Sequence, residues 1–328
     1  MKVCPHSRRE FLKWSAAAGL AWSGHGALWA QPAAAPLHML CTGPAGSIPD
    51  IVARRVAEQL GGQRALVDNR PGAAGQIAVM ALKAAPADGS TVLLAQGAVA
   101  TVYPYLYPRL GYDPVADLRP VSMAGEMTLG LAVGPAVPPE VTNVQGLVAW
   151  FRRNPKLANV GSPGTGTLPH LLEALLFQTA DAPWQHVVYA GGPPALVDLM
   201  GGQIAALVLP EGLLRQHRAA GRLRVLATSS AQRSAYLPDV ATLAEQGFAG
   251  LVVREWFAFF MPAGAAPAVV ESTSQSLRTA LAQPALAAAF AESGMVAQSS
   301  TPAALAARIA TEQAVWEPVI RAARIRVE

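Results

Sequence analysis

Short apolar runs alternate with segments of helical periodicity along most of this 328-residue chain, and this alternation constrains the fold more than any other feature. The run Leu37–Cys41 has the length and apolar character of a buried strand. An apolar stripe at helical spacing follows it, formed by Ile51, Val52, Val56 and Leu60. Strand–helix alternation of this kind predicts an α/β fold with parallel sheets covered by helices on both faces.

The same patterns extend to residue 321. They predict further strands at 65–67, 91–95, 159–161, 186–189, 206–209 and 223–228. They predict helices at 77–84, 142–154, 168–176, 194–200, 213–220, 267–281, 284–293 and 302–321. Pro and Gly residues between 132 and 139 interrupt the alternation, and 258–261 has the character of a return strand. We therefore expect a discontinuous lobe 1 (31–133 plus 255–328), a lobe 2 (134–254), and a hinge and cleft between them.

Charge is distributed unevenly along the chain. Residues 1–30 contain four basic residues and one acidic residue, which leaves 21 basic and 20 acidic residues in the remainder. A nucleic-acid-binding protein needs a clustered basic face, so we expect no nucleic-acid partner. Hydrophobic residues make up 52% of the chain and charged residues 14%, a composition that excludes overall disorder.

The amino-terminal segment is typical of an export signal. Residues Ser7–Lys13 match the twin-arginine pattern S-R-R-x-F-L-K, and an apolar stretch at 14–29 precedes Ala30. The alternative is a membrane anchor, but about 16 uncharged residues are fewer than the ~20 that a spanning helix requires. We predict a cleaved signal at 1–30, a periplasmic location reached by the twin-arginine route, and no membrane insertion of the mature chain. Cys41 would then be the one cysteine left, and we interpret it as a buried structural thiol.

Two glycine-rich loops, each between a predicted strand and a predicted helix, are the candidate binding elements. They span 42–50 and 161–167. Ligands of open α/β sheets bind at the carboxyl ends of strands, where helix N-termini present free N–H groups. The loops contain no Lys or Arg, so an anion there would be held by neutral dipoles. The alternative interpretation is a pair of ordinary turns with helix caps at Asp50 and Thr167.

The candidate ligand-binding residues come from these loops and the helices that follow them. They are Pro44, Ala45, Gly46, Ser47, Ile48, Asp50, Ser162, Gly164, Thr165, Gly166, Thr167 and His170. Ser162 is not in a G-x-S-x-G elbow, and we interpret His170 as a neutral rim residue. The rival function is an exported α/β hydrolase that uses Ser162 and His170. The histidines show no metal-ligand spacing, and we expect no catalytic residue, metal or cofactor.

Short motifs, in a fixed order over about 230 residues, resemble one family. They are Pro44-Ala45-Gly46 with Asp50-Ile51, Asn69-Arg70-Pro71-Gly72-Ala73, Ala84-Ala85-Pro86, Tyr112-Asp113-Pro114, Gly164-Thr165-Gly166-Thr167, Tyr189-x-Gly191, Gly201-Gly202-Gln203, Leu237-Pro238-Asp239, Trp256-Phe257 and Pro262-Ala263-Gly264. This order and spacing is similar to that of the Bug receptors, the periplasmic substrate-binding proteins of tripartite tricarboxylate transporters.

The resemblance implies a type II periplasmic-binding-protein fold whose two lobes close over a small ligand. It implies that the two loops, together with Gly191, grip a carboxylate through backbone amides, hydroxyls and bridging waters. The partner would be a membrane transporter or a sensor domain, and we expect a monomer. This chain departs from the family at Ser47, Ile48-Pro49, Ala190 and Ala205, which makes the distal half of the pocket more apolar.

Overall fold

The computed structural model describes residues 36–60, 64–325 and 327, so the predicted signal at 1–30 lies outside the described residues. Their strands are β1 (Leu37–Cys41), β2 (Ala65–Asn69), β3 (Thr91–Gln96), β4 (Leu118–Val133), β5 (Asn159–Ser162), β6 (Gln185–Val188), β7 (Ala206–Pro210), β8 (Arg224–Thr228), β9 (Arg254–Pro262) and β10 (Met295–Ala297). The order across the sheet is β2-β1-β3-β9-β4-β7-β5-β6, and β8 and β10 also pair with β4.

Helices follow most of these strands. They are α1 (Ile48–Glu58), α2 (Gln76–Lys83), α3 (Ala98–Thr101), α4 (Tyr103–Leu106), α5 (Pro114–Asp117), α6 (Val144–Arg153), α7 (Leu168–Thr179), α8 (Gly192–Met200), α9 (Glu211–Ala219), α10 (Pro267–Leu281), α11 (Pro284–Glu292) and α12 (Pro302–Ala323). Each predicted strand and helix in the described residues is present, with ends shifted by a few residues. The α/β fold is confirmed.

The sheet has two sections that share one long strand, β4. Residues 118–128 of β4 pair with β9, while 129–133 pair with β7 and β8. The first section contains the parallel strands β1, β2 and β3, and the second contains the parallel strands β5, β6 and β7. Because β4 and β9 run antiparallel to their neighbours, the sheet is mixed, and the prediction of wholly parallel sheets is wrong.

Strand β4 escaped prediction for a physical reason. It is buried on both faces, so its side chains show no alternation of apolar and polar residues. It also contains Gly125 and Gly130. Glycine is more typical of loops than of strands, but these two lie in close contact with neighbouring elements. A Cβ on Gly125 would lie 2.5 Å from the carbonyl oxygen of Val296 on β10, and one on Gly130 would lie 2.8 Å from Leu214. Glycine therefore permits the close approach of the neighbouring elements.

The crossing from the second section back to the first is made by β9, which is longer than the predicted return strand. Trp256 on β9 is fully buried, and its Nε1 donates to Glu312 Oε2 at 2.7 Å. Trp256 therefore packs in the core and does not line the cavity.

Cys41 at the end of β1 is also fully buried, as predicted, and burial raises the pKa of its thiol to about 12. The lobe boundaries at 133/134 and 254/255 remain a prediction.

Candidate functional site

A cavity of about 1180 Å³ lies where the loops of the two sheet sections meet. The loops after β1 and β5 contribute to its wall, as do the loops after β2 and β6. Leu209 at the end of β7, with Glu255 and Phe257 on β9, also lines it. Because β1, β2, β5 and β6 are parallel within their sections, their carboxyl ends bring these loops to one place.

The two predicted loops have the same local structure. Each runs from a glycine with positive φ into a helix: Gly46 (φ +77°) leads into α1 and Gly166 (φ +85°) leads into α7. The N–H of Gly46 donates to Asp50 Oδ2 at 2.9 Å, and the N–H of Gly166 donates to His170 Nδ1 at 3.1 Å. Asp50 and His170 are therefore equivalent positions, each holding the turn that precedes its own helix.

Ser47 and Thr167 occupy the N-cap positions of α1 and α7, but their hydroxyls do not cap these helices. The Ser47 hydroxyl donates to the Pro44 carbonyl at 2.6 Å, and the Thr167 hydroxyl donates to the Gly164 carbonyl at 2.7 Å. Thr167 thus occupies the N-cap position that the alternative interpretation gave it, but its side chain does not cap α7, and Asp50 lies in the first turn of α1 and not at its N-cap. Since first-turn N–H groups have no intrahelical acceptor and no side-chain cap is present, both helix N-termini keep donors for an anion.

Eight of the candidate residues line the cavity and five do not. The lining residues are Pro44, Ser47, Ile48, Gly164, Thr165, Thr167, His170 and Gly191. Ala45, Gly46, Asp50, Ser162 and Gly166 do not line it. Four of the last five shape the loops, because Gly46, Asp50 and Gly166 take part in the turn hydrogen bonds and Ser162 ends β5, while Ala45 is exposed.

Asp50 is a buried structural carboxylate. Burial alone would raise its pKa, but hydrogen bonds from Arg54, Gly46 and Asn69 outweigh burial and lower the pKa below its usual value. Arg54 Nε and Asn69 Nδ2 each donate to Asp50 Oδ1 at 2.9 Å. Asp50 therefore stays ionised and fixes the first loop against the end of β2.

The rim position predicted for His170 is wrong, because His170 is only 7% exposed. Its ring lies 4.1 Å from that of His186, and Ser162 Oγ lies 2.8 Å from His186 Nε2. Burial lowers the pKa of His170 to about 3, with a further contribution from His186, and burial lowers the pKa of His186 to about 4. The two imidazoles are therefore neutral near pH 7. Ser162 is fully buried and bonded to His186, so the geometry of a Ser162–His170 hydrolase is not present.

Sequence reasoning missed a third loop in the wall. Ala73 and Ala74, between β2 and α2, both have positive φ (45° and 52°), a strained conformation for residues with a Cβ. Gln96 Nε2 and the Tyr103 hydroxyl hold it by donating to the Ala74 carbonyl at 2.6 and 2.8 Å. The motif Asn69–Ala73 was the available sequence signal.

A second missed residue, Tyr107, joins the two sheet sections. Tyr107 lies just beyond α4 in the first section. Its hydroxyl donates to the Thr165 carbonyl in the second section at 2.5 Å. Tyr107 also lines the cavity. The cavity is thus closed on one side by a direct bond between the two groups of loops.

The cavity wall carries few charges. Among the described lining residues, Arg109 has a basic side chain, which is exposed, and Glu255 has an acidic side chain, which is buried.

In the described part of the chain, no group of three or more His, Cys, Asp or Glu side chains is arranged to hold a metal ion. None of the helices described is both long and apolar enough to span a membrane.

Comparison with known proteins decides the family. The model of the tripartite tricarboxylate transporter family receptor matches residues 49–325. The chain belongs to this family. Among its relatives, the protein BugT of Bordetella pertussis is 34% identical over 292 residues, covering 88% of this chain and 89% of BugT. The resemblance inferred from the short motifs is confirmed.

Solved structures of similar proteins agree with this receptor family. The periplasmic binding protein BugD has a TM-score of 0.83 and 26% identity, over 89% of this chain and 99% of BugD. An R. palustris protein solved with adipate has a TM-score of 0.84 and 27% identity, over 89% of this chain and 98% of that one. The protein therefore has the periplasmic-binding-protein fold of the receptor family, and nothing in these comparisons supports the hydrolase alternative.

Proposed function

We propose that this receptor is exported to the periplasm, binds a small carboxylate between its two lobes and delivers it to a membrane transporter or a sensor domain. The observation that carries the proposal is the matched pair of loops at Gly46–Asp50 and Gly166–His170, which direct two uncapped helix N-termini toward one cavity. The adipate-bound R. palustris relative supports a carboxylate as the ligand.

The carboxylate is proposed to lie between the first turns of α1 and α7. Ser47, Ile48 and Thr167 would contact it from the two helix N-termini, and Thr165 and Gly191 from the neighbouring loops. Gly46, Asp50, Ser162 and Gly166 would act without contacting the ligand, by holding the loops in place, and Ala45 would be part of the first loop. The protein would bind its ligand without chemical change and work as a monomer.

Carboxylates are expected to stabilise the protein against heat. A single-site ligand at 100 times its Kd adds ~2.7 kcal/mol to the free energy of unfolding. For a chain of this size that corresponds to a rise in Tm of roughly 5–10 °C. Thermal-shift measurements with hexanoate, succinate and adipate test this, with hexanol and 1,6-hexanediol as uncharged controls. Equal stabilisation by the alcohols, or consumption of the carboxylate during incubation, would contradict the proposal.

Export is expected to depend on the arginine pair at the amino terminus. Changing Arg8 and Arg9 together to Lys keeps the charge but removes the pair that the twin-arginine receptor reads. We expect precursor to accumulate in the cytoplasm, measured by cell fractionation and immunoblotting. The Lys2→Arg variant is the matched control and should be exported normally. Normal periplasmic accumulation of the double variant would indicate the general secretory route.

A further inference from the structure

Glu255 is a buried carboxyl group in the cavity wall without a full set of hydrogen-bond partners. It is only 4% exposed, and its Oε1 has no partner among the described residues. It lies on β9, two residues from Phe257, so both side chains project from the same face of the strand, and both line the cavity. A buried polar atom without a partner is costly, so this position calls for an external hydrogen-bond donor.

The surroundings of Glu255 contain no described positive charge paired with it. The charged group that acts on it is the carboxylate of Glu312, and Glu255 in turn acts on the Tyr103 hydroxyl. Arg308 and Trp256 already donate to Glu312, and the Tyr103 hydroxyl is used by the Ala74 carbonyl. The neighbouring Arg254 forms a salt bridge with Glu126. No cation within the described residues therefore pairs with Glu255.

We propose that Glu255 determines ligand class by pairing with a cationic amino group at the distal end of the bound carboxylate. This rests on the proposed function, in which the two helix N-termini hold the carboxylate end. The receptor would then select zwitterionic ligands, with an ammonium separated from the carboxylate by an apolar segment that packs against Leu209 and Phe257. A second carboxylate at this position would add a negative charge beside Glu255 and Glu312.

A dicarboxylate is the alternative ligand that Glu255 could recognise. Burial, followed by repulsion from Glu312, raises the pKa of Glu255 to about 8, so the group is mostly protonated at pH 7. A protonated Glu255 could donate to a distal carboxylate of a dicarboxylate ligand. The two cases differ in proton linkage, because an ammonium would displace the proton from Glu255 at pH 7 and a carboxylate would retain it.

The test compares ligands that differ only at the distal end. Monocarboxylates, dicarboxylates and ω-amino acids of four to eight carbons are titrated by calorimetry at pH 7 against the wild type and Glu255→Gln. The quantity measured is the ratio of Kd values for the monocarboxylate and the ω-amino acid of equal chain length in the same protein. Glu211→Gln is the matched control, because Glu211 is also buried, with an unpartnered Oε2, but does not line the cavity.

We expect this ratio to reach at least about tenfold for one chain length in the wild type and in Glu211→Gln, and to fall to near one in Glu255→Gln. Binding of that ω-amino acid should also release a proton, seen as a dependence of the heat on buffer ionisation enthalpy. Tighter binding of dicarboxylates than of ω-amino acids, or a ratio unchanged in Glu255→Gln, would overturn the inference while leaving carboxylate binding intact. Failure of every carboxylate to bind would instead overturn the proposed function.

Discussion

The Gly166→Ala variant is expected to lose at least about tenfold in ligand affinity, whereas Gly46→Ala, its counterpart in the other loop, is expected to lose much less. Both glycines have positive φ, so alanine adds a similar backbone strain of roughly 1 kcal/mol at each position. A Cβ on Gly46 would meet nothing within 4 Å, but a Cβ on Gly166 would lie 2.6 Å from the Tyr107 hydroxyl and 2.8 Å from Leu106 Cδ2. The collision at Gly166 would push the two sheet sections apart, because Tyr107 and Leu106 belong to the first section and Gly166 to the second.

Calorimetric titration with a carboxylate that stabilises the wild type measures this difference, and urea unfolding measures the strain. Tyr107→Phe is the companion variant, because it removes the hydrogen bond to the Thr165 carbonyl without adding bulk. Similar losses of affinity in Gly166→Ala and Gly46→Ala would show that backbone strain alone is responsible. Wild-type affinity in Gly166→Ala would show that closure at this contact is not needed for binding.

The Glu255→Gln variant is expected to gain ~4 kcal/mol of stability over the wild type as the pH rises from 5 to 8. Burial raises the pKa of Glu255 from 4.5 to about 8. Between these values the unfolded chain has lost the proton while the folded protein keeps it, so raising the pH destabilises the fold. This contribution is fully present below pH 4.5 and is lost as the pH rises through 8. Glutamine does not titrate, so the variant lacks this pH-dependent loss.

Urea unfolding of both proteins at half-unit steps from pH 5 to 8 measures the effect as a difference between two free energies. The other titrating groups, including the buried His170 and His186, are common to both proteins and cancel in this difference. Parallel stability curves for the wild type and Glu255→Gln would show that Glu255 is ionised in the folded protein throughout this range. An ionised Glu255 in the ligand-free protein would require a permanent cation beside it, in place of the ligand ammonium proposed above.

The sequence predicted the parts of the site that depend on local pattern. The strand–turn–helix units at 37–58 and 159–179 have strong apolar periodicity, so both loops could be placed at strand ends. Their internal hydrogen bonds were harder to predict, because a Ser or Thr hydroxyl can cap a helix or bond backward to a carbonyl with the same sequence. The structure shows the second arrangement at Ser47 and Thr167.

The remaining parts of the site depend on contacts between distant segments. Tyr107 and Thr165 are 58 residues apart, and Ser162 meets His186 across 24 residues, so neither pair has a signature in the chain. Glu255 was missed because the apolar run of β9 was recognised only from residue 258, and a carboxyl group beside it reads as a solvated strand end. Burial of both faces similarly removed the alternation that would have revealed β4.

The matched loops also bear on how the receptor responds to salt. Peptide dipoles in a desolvated cleft carry no counterion shell that binding must displace, and they lie too close to the ligand for dissolved ions to intervene. Arg109, the one cationic side chain of permanent charge in the described wall, is exposed at its edge. If the two loops bind the carboxylate as proposed, electrostatic steering of the ligand is weak, and the rate of capture is set mainly by diffusion. We therefore expect ligand capture by the proposed site to vary little with the ionic strength of the surroundings.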